Sequence, residues 1–242
     1  MERTPKKTSA VETTEQRLLQ LFLDKQFKLG DALPQELALC EELGVARSVL
    51  REALSRFRMM GLIQTRTRRG MILSEPDILS GMGHIFHPNF FTLETLMQML
   101  ELRMACEIGA FTSMCDRINT EDIDRLRALA DNSRILDDHT YSISDEVAFH
   151  LKMYEMSGNP LLQRFQNILY IVLTYVNQAW HDELRTENER LMRAQLFVSH
   201  ADLLECLASR DKTTAFTAID RHFAPYRAVI ERKRRALSET HK

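Results

Sequence analysis

Glycine and proline are scarce, with 8 and 6 in 242 residues. So few breakers leave room for long helices and exclude a fibrous or low-complexity chain. Cysteine is scarcer still: Cys40, Cys106, Cys115 and Cys206 lie far apart and form no CxxC pair. That argues against a disulfide framework and a zinc ribbon, and fits a reducing compartment. No apolar run approaches the roughly 20 residues of a membrane span. Met1 to Glu15 is polar, without the apolar stretch of a secretory signal. These absences lead to the expectation of a cytoplasmic protein with no membrane partner. Charge of one sign is lacking too, with 32 Lys and Arg against 34 Asp and Glu and a formal net charge of -2. What remains is 44% hydrophobic and 27% charged, an ordinary globular composition sufficient for one large domain or two modest ones. Taken alone, the near-zero charge argues against nucleic acid.

The distribution of that charge argues the other way. Residues 1–75 hold 13 Lys and Arg against 10 Asp and Glu, a net +3, and the rest of the chain is -5. Between 45 and 70 stand seven arginines and one acid, Glu52. A basic segment inside a nearly neutral chain is a footprint for a polyanion. The plainer reading is a solvated helix face followed by a charged turn.

Local patterns favour the first reading. Leu18, Leu19, Leu21, Phe22 and Leu23 predict a helix over Thr14–Phe27. Lys28 to Asp31 reads as a turn. Pro34 suits the first position of a second helix, Gln35–Leu43, whose Leu37, Leu39, Cys40 and Leu43 are available to a core and which Gly44 ends. A third helix runs from Ala46 or Arg47 to Met60, with Val49, Leu50, Ala53, Leu54, Phe57 and Met60 apolar, and stops at Gly61. Leu62 to Leu73 has apolar ends and a basic centre containing Gly70, which predicts two short strands around a tip. This order is a winged helix-turn-helix. Its third helix can enter the major groove by its N-terminal end. Arg47 and Arg51 are four apart and share a face. An arginine can pair bidentately with guanine O6 and N7. Ser48 and the helix N-terminus suit phosphate or base contacts. Arg66, Arg68 and Arg69 on the wing would meet phosphates or the minor groove. The candidate DNA-facing set is therefore Arg47, Ser48, Val49, Arg51, Arg66, Arg68, Arg69 and Gly70.

Three stretches carry a resemblance. They are Leu33-Pro34-Gln35-Glu36-Leu37-Ala38, then Leu43-Gly44-Val45-Ala46-Arg47-Ser48-Val49-Leu50-Arg51-Glu52-Ala53-Leu54, then Gly61-Leu62-Ile63. Together, over about residues 15–74, they resemble the DNA-binding domain of the GntR family of bacterial repressors. The resemblance implies that Arg47 and Arg51 contact DNA. This chain has Ala46 where the family usually has Ser, and Leu37 where it often has Arg.

After Pro76 the sequence changes character. Residues 77–91, with Gly81, Gly83 and Pro88, read as a linker with a helical turn at most. Six helices are then expected, at 92–116, 120–136, 140–156, 159–183, 187–208 and 212–237. No strand signal appears, so the fold class is mostly α: a winged helix-turn-helix on 1–75, a linker on 76–91 and an all-α bundle on 92–237. His84, His87, His139, His181 and His241 fall in breaks or polar surroundings, where solvated or capping roles suffice. Glu146 and His150 share one helix face, while His200 and His222 read as mid-helix residues among Leu203, Leu204, Ile219 and Phe223. Singly, each His is more simply a satisfied core residue. Together, Glu146, His150, His200 and His222 offer three nitrogens and one oxygen to a divalent transition metal such as Zn, Ni, Co, Fe or Mn.

A second resemblance rests on Glu101-Leu102-Arg103 with Glu107, Glu146-Val147-Ala148-Phe149-His150, Ser157-Gly158-Asn159, His200 and His222. Over about 92–235 these resemble the FCD effector domain of the FadR subgroup of GntR regulators. Such domains hold a metal through Asp and three His, and many sense a small carboxylate. Here Glu146 replaces the Asp. Arg103 resembles the pocket arginine and becomes the candidate effector-binding residue; pairing with Glu101 or Glu107 along its helix is the simpler role. The whole implies a ligand-responsive repressor, a homodimer on a palindromic double-stranded operator. A metal-dependent enzyme acting on a small organic acid is the alternative, with a plain interaction module as a third reading.

Overall fold

The computed structural model describes residues 9–77, 79, 87–132 and 142–240. The chain divides into two compact units, Met1–Ile85 and Phe86–Lys242. Half of the linker (78 and 80–86), the predicted helix ends at 133–136 and 140–141, and His84, His139 and His241 lie outside the described residues.

The first unit holds α1 (Ala10–Asp24), α2 (Glu36–Leu43), α3 (Arg47–Met59), β1 (Ile63–Arg66) and β2 (Gly70–Leu73). α1 starts four residues earlier than predicted, because Ser9 and Glu12 form a reciprocal capping box. Leu18 and Phe22 are buried but Leu19 and Leu23 are exposed. At 100° per residue only the 18/22 stripe faces the core. Leu37 is likewise exposed and Cys40 only half-buried, so α2 buries Leu39 and Leu43 alone. Gln35, not Pro34, flanks α2. Gly44 closes α2 at φ +62°, a conformation side chains resist. From α3, Leu50, Ala53, Leu54 and Phe57 complete the core; Met60 is exposed. β1 and β2 pair antiparallel from Ile63 opposite Leu73 to Arg66 opposite Gly70. Leu33 N–H donates to Met71 O and Gly30 N–H to Leu73 O, so the supposed turn also lines the hairpin.

The second unit begins with a single 3-10 turn, Pro88–Phe90. Eight helices follow among the described residues, where six were expected. They are α4 (Leu93–Met114), α5 (Thr120–Asn132), α6 (Ile143–Met156), α7 (Pro160–Ala179), α8 (His181–Arg193), α9 (His200–Ser209), α10 (Lys212–His222) and α11 (Ala224–Thr240). The expected 187–208 helix is interrupted: Gln195 sits at φ +56° and Ser199 caps α9 in a box with Asp202. The expected 212–237 helix breaks before Pro225, whose ring and missing N–H cannot continue α10 but suit the first turn of α11. His200 is therefore the first residue of α9 and His222 the last of α10, not mid-helix residues. Ser157-Gly158-Asn159 joins α6 to α7: Asn159 Oδ1 accepts from Leu161 and Leu162 N–H, and Arg117 donates to Ser157 O. One core runs through the unit, with Leu100, Phe111, Met114, Phe149, Val176, Leu203, Ile219 and Phe223 all buried. No described helix is long and apolar enough to cross a membrane.

Candidate functional site

The first unit presents its basic segment outward. Arg47 opens α3 and Arg51 follows one turn later, with 73% and 66% of their side chains exposed. Ser48 is exposed beside them and Val49 is half-buried. Ala46 offers no capping oxygen to α3, leaving its first N–H groups without a side-chain cap. Arg66 ends β1, Arg68 and Arg69 form the turn, Gly70 opens β2, and all four are exposed. The eight residues thus occupy the start of α3 and the wing tip. An open helix N-terminus beside exposed arginines is suited to an anion.

The second unit gathers Glu146, His150, His200 and His222, one ligand atom from each within 4.8 Å of all the others and all four residues buried. α6 supplies Glu146 and His150, the start of α9 His200, and the end of α10 His222. The three imidazole rings form a nearly equilateral triangle, with centroids 5.2, 5.3 and 5.2 Å apart. His150 Nε2 lies 3.2 Å from Glu146 Oε1, His200 Nε2 3.1 Å from Glu146 Oε2, and His222 Nε2 3.3 Å from His150 Nε2. Phe149 stacks on His200 at 4.2 Å and fixes its plane.

Outer partners set the proton positions. His222 Nδ1 donates to Val198 O at 2.9 Å, which leaves its Nε2 a lone pair. His150 Nδ1 meets the carboxylate of Glu107. With Nδ1 committed to Glu107, its Nε2 faces the Nε2 lone pair of His222 at 3.3 Å, a contact that needs a cation or a proton between the two atoms. Ligand atoms about 2.0–2.2 Å from one ion are spaced near these distances, and three nitrogens with one oxygen suit a divalent transition metal. The four side chains fit such an ion.

Glu107, fully buried on α4, also accepts from Tyr154 Oη at 3.1 Å and pairs with Arg103 Nε at 3.2 Å. Arg103 takes the simpler role, pairing with Glu107 along the helix, and lies buried beside the cluster with its Nη2 3.8 Å from Glu146 Oε1. Phe223 and Tyr226 face its guanidinium at 5.5 and 5.9 Å. Glu101 pairs with Arg234 instead.

Electrostatics follow from this packing. Burial pushes His222 down, helped by His200 and His150, to about 3. Burial lowers His200 as well. Burial opposes charge on His150 too, but Glu107 and Glu146 outweigh it and bring the group up to about 9. Against the same burial, His150 and Arg103 hold Glu107 below the usual carboxylate range, and His150 with His200 holds Glu146 well below it.

A cavity of about 60 Å³ adjoins the cluster, lined by Glu146, His222, Asn177, His181, Asn188 and Tyr226 among others. Roughly 10–15 Å³ admits one water, so there is space for several waters or a small acid. Tyr226 Oη donates to Asn177 Oδ1 at 2.8 Å on its wall. Arg103 lines a separate cavity of about 10 Å³ with Gln166 and Tyr154, behind His150. The sequence reading did not single out Asn177, Tyr154 or Tyr226, gave Glu107 only an ion-pair role, and left His181 in a break. Glu107 lies four residues after Arg103, a usable signal; the two tyrosines carry none.

A winged helix-turn-helix and a helical bundle with a buried Glu-His cluster in one chain define a DNA-binding transcriptional regulator. Residues 10–73 match the bacterial regulatory proteins of the gntR family, and residues 98–225 match the FCD domain. The chain belongs to the GntR family of bacterial transcriptional regulators, in the group that carries an FCD domain. It is 29% identical to the HTH-type transcriptional regulator YcbG of Bacillus subtilis (strain 168), over 85% of this chain and 83% of that one. It is 27% identical to the HTH-type transcriptional repressor NanR of Cronobacter sakazakii, over 92% and 87%. Among solved structures, Streptococcus agalactiae GntR aligns over 90% of this chain and 99% of its own, with TM-score 0.49 and 21% identity.

Proposed function

We propose that this regulator is a cytoplasmic repressor whose bundle holds a divalent transition metal and a small carboxylate effector. The reading head is residues 1–75 and the effector body 92–237, joined by the linker 76–91. The observation that carries the proposal is the buried, near-symmetric triangle of imidazoles closed by Glu146. Held by Glu146, His150, His200 and His222, such a metal would supply positive charge that attracts a carboxylate oxygen.

The chain's own groups do the rest. Glu107 and Val198 O hold the Nδ1 protons of His150 and His222 and so aim both Nε2 atoms inward, where His150 would give up its second proton when a metal binds. Asn177 and Tyr226 offer polar atoms to an effector in the 60 Å³ cavity. Arg103, behind Glu146, adds positive charge that favours an anion. Arg47, Ser48, Val49 and Arg51 read a half-site in the major groove, while Arg66, Arg68, Arg69 and Gly70 track the backbone beside it. A homodimer would place two such heads on a palindrome about one helical turn apart. An effector changes operator affinity only through a difference in its own affinity for the two states.

Elemental analysis of the purified protein, exchanged against Zn, Ni or Mn, tests the centre. The proposal expects one equivalent per chain, lost on chelation. Less than a tenth of an equivalent with each of the three metals would sink it.

A further inference from the structure

Three arginines around the recognition helix converge on one carboxylate. Glu36 Oε2 lies 3.9 Å from Arg47 Nε and 3.8 Å from Arg51 Nε, and Oε1 lies 3.5 Å from Arg58 Nη2. We infer that Glu36 is a positioning residue for DNA reading, holding both recognition arginines by their inner nitrogens and opposing loose attraction to phosphate.

The geometry distinguishes the ends of each guanidinium. Arg47 and Arg51 are both met at Nε, where the fork joins the aliphatic stem. The atoms met are not the two terminal nitrogens, and two parallel N–H donors are what guanine O6 and N7 require. An exposed arginine samples many rotamers, and ordering it on binding is entropically costly. A loose pair at 3.8–3.9 Å restricts that sampling beforehand without tying up the reading end.

Glu36 is itself well placed to do this. It is the first residue of α2, where the helix dipole favours an acid. Its third partner, Arg58, also touches Met71 Sδ at 3.3 Å, so the carboxylate is braced between the end of α3 and the hairpin. Glu36 is more enclosed than the arginines it meets, with a quarter of its side chain exposed. Exposed ion pairs of this kind add little to stability, so fold maintenance is a weak reason for the arrangement.

The second half of the inference is charge. Residues 45–70 contain seven arginines and a single acid, Glu52. Glu36 brings a further negative charge from a different helix to the start of the reading face. Near any DNA it repels phosphate, whatever the sequence. At the right sequence the arginines it has ordered recover that loss through base contacts. Weakening all sites while preserving one is how specificity is gained.

The test uses the full-length protein and two probes. One is a duplex enriched by the wild-type protein from a randomised library; the other is a random-sequence duplex of equal length. Glu36→Gln keeps size and removes charge. The inference expects random-duplex affinity to rise about threefold or more and the ratio of enriched to random affinity to fall at least about tenfold, with unchanged thermal melting. An unchanged ratio overturns it. Equal weakening on both probes together with a lowered Tm also overturns it, since that is the result of a merely structural residue.

Discussion

Glu107→Gln removes one charge from the buried cluster with almost no change in volume. The carboxylate has two committed sides. Oε2 faces Arg103 Nε at 3.2 Å and Tyr154 Oη at 3.1 Å, and Oε1 faces His150 Nδ1. All three partners are donors, so an amide must put its N–H₂ against one side. Turned toward Arg103 and Tyr154, it opposes donor to donor, at a cost of about 1–3 kcal/mol. Turned toward His150, it forces the imidazole proton onto Nε2, which points it into the centre of the triangle. In both orientations Arg103 loses its nearest counter-charge. Replacing an outer partner of a ligating histidine typically costs about 10–100-fold in metal affinity, or roughly 1.4–2.7 kcal/mol. The expected result is a loss in that range, measured by competition against a chromophoric chelator, with far-UV circular dichroism confirming the helices. Wild-type metal affinity in Glu107→Gln would refute the claim that Glu107 orients His150.

Three further outcomes are expected. Arg47→Ala and Arg51→Ala should each weaken binding to a selected operator by about 1–3 kcal/mol in an anisotropy titration, and wild-type affinity in either would remove that arginine from the reading face. His200→Ala should strip bound metal while leaving most helical content, so full metal content by elemental analysis would remove His200 from the centre. Gly158→Ala should destabilise the second unit by about 1–2 kcal/mol in denaturant unfolding, because Gly158 lies at φ +69° and an added Cβ would sit 2.6 Å from Arg117 Nη1. No change in midpoint would contradict that account of the α6–α7 turn.

The head was largely legible because its punctuation is local. Gly44, Gly61 and the basic tip mark the ends of short elements, and the observed boundaries fall within one residue for α2 and α3. Leu37, read as available to the core, is exposed just off the buried stripe, because apolar character alone does not fix a side of the helix. In the bundle, apolar spacing continued through Leu191, Leu196 and Leu203 and concealed the gap between α8 and α9. Ser199 with Asp202, and Pro225, were the available stop and start signals. The gathering of Glu146, His150, His200 and His222 was anticipated by residue type and order. The contacts of Glu107 with Tyr154 and of Tyr226 with Asn177 were not, since they join positions 47 and 49 residues apart. Pairing at that range is set by helix packing, which no local pattern encodes. The near-neutral total charge likewise concealed Glu36, whose importance lies in which arginines it meets.

The central claim is that the buried cluster governs DNA binding through a metal and a small acid. It is tested most directly by operator affinity of the full chain, titrated with a panel of small carboxylic acids, once metal-loaded and once after chelation. The account predicts that one acid weakens operator binding at least about tenfold in the metal-loaded protein, a coupling near 1.4 kcal/mol, and has no effect after chelation. An acid that shifts operator affinity equally with and without metal would contradict it.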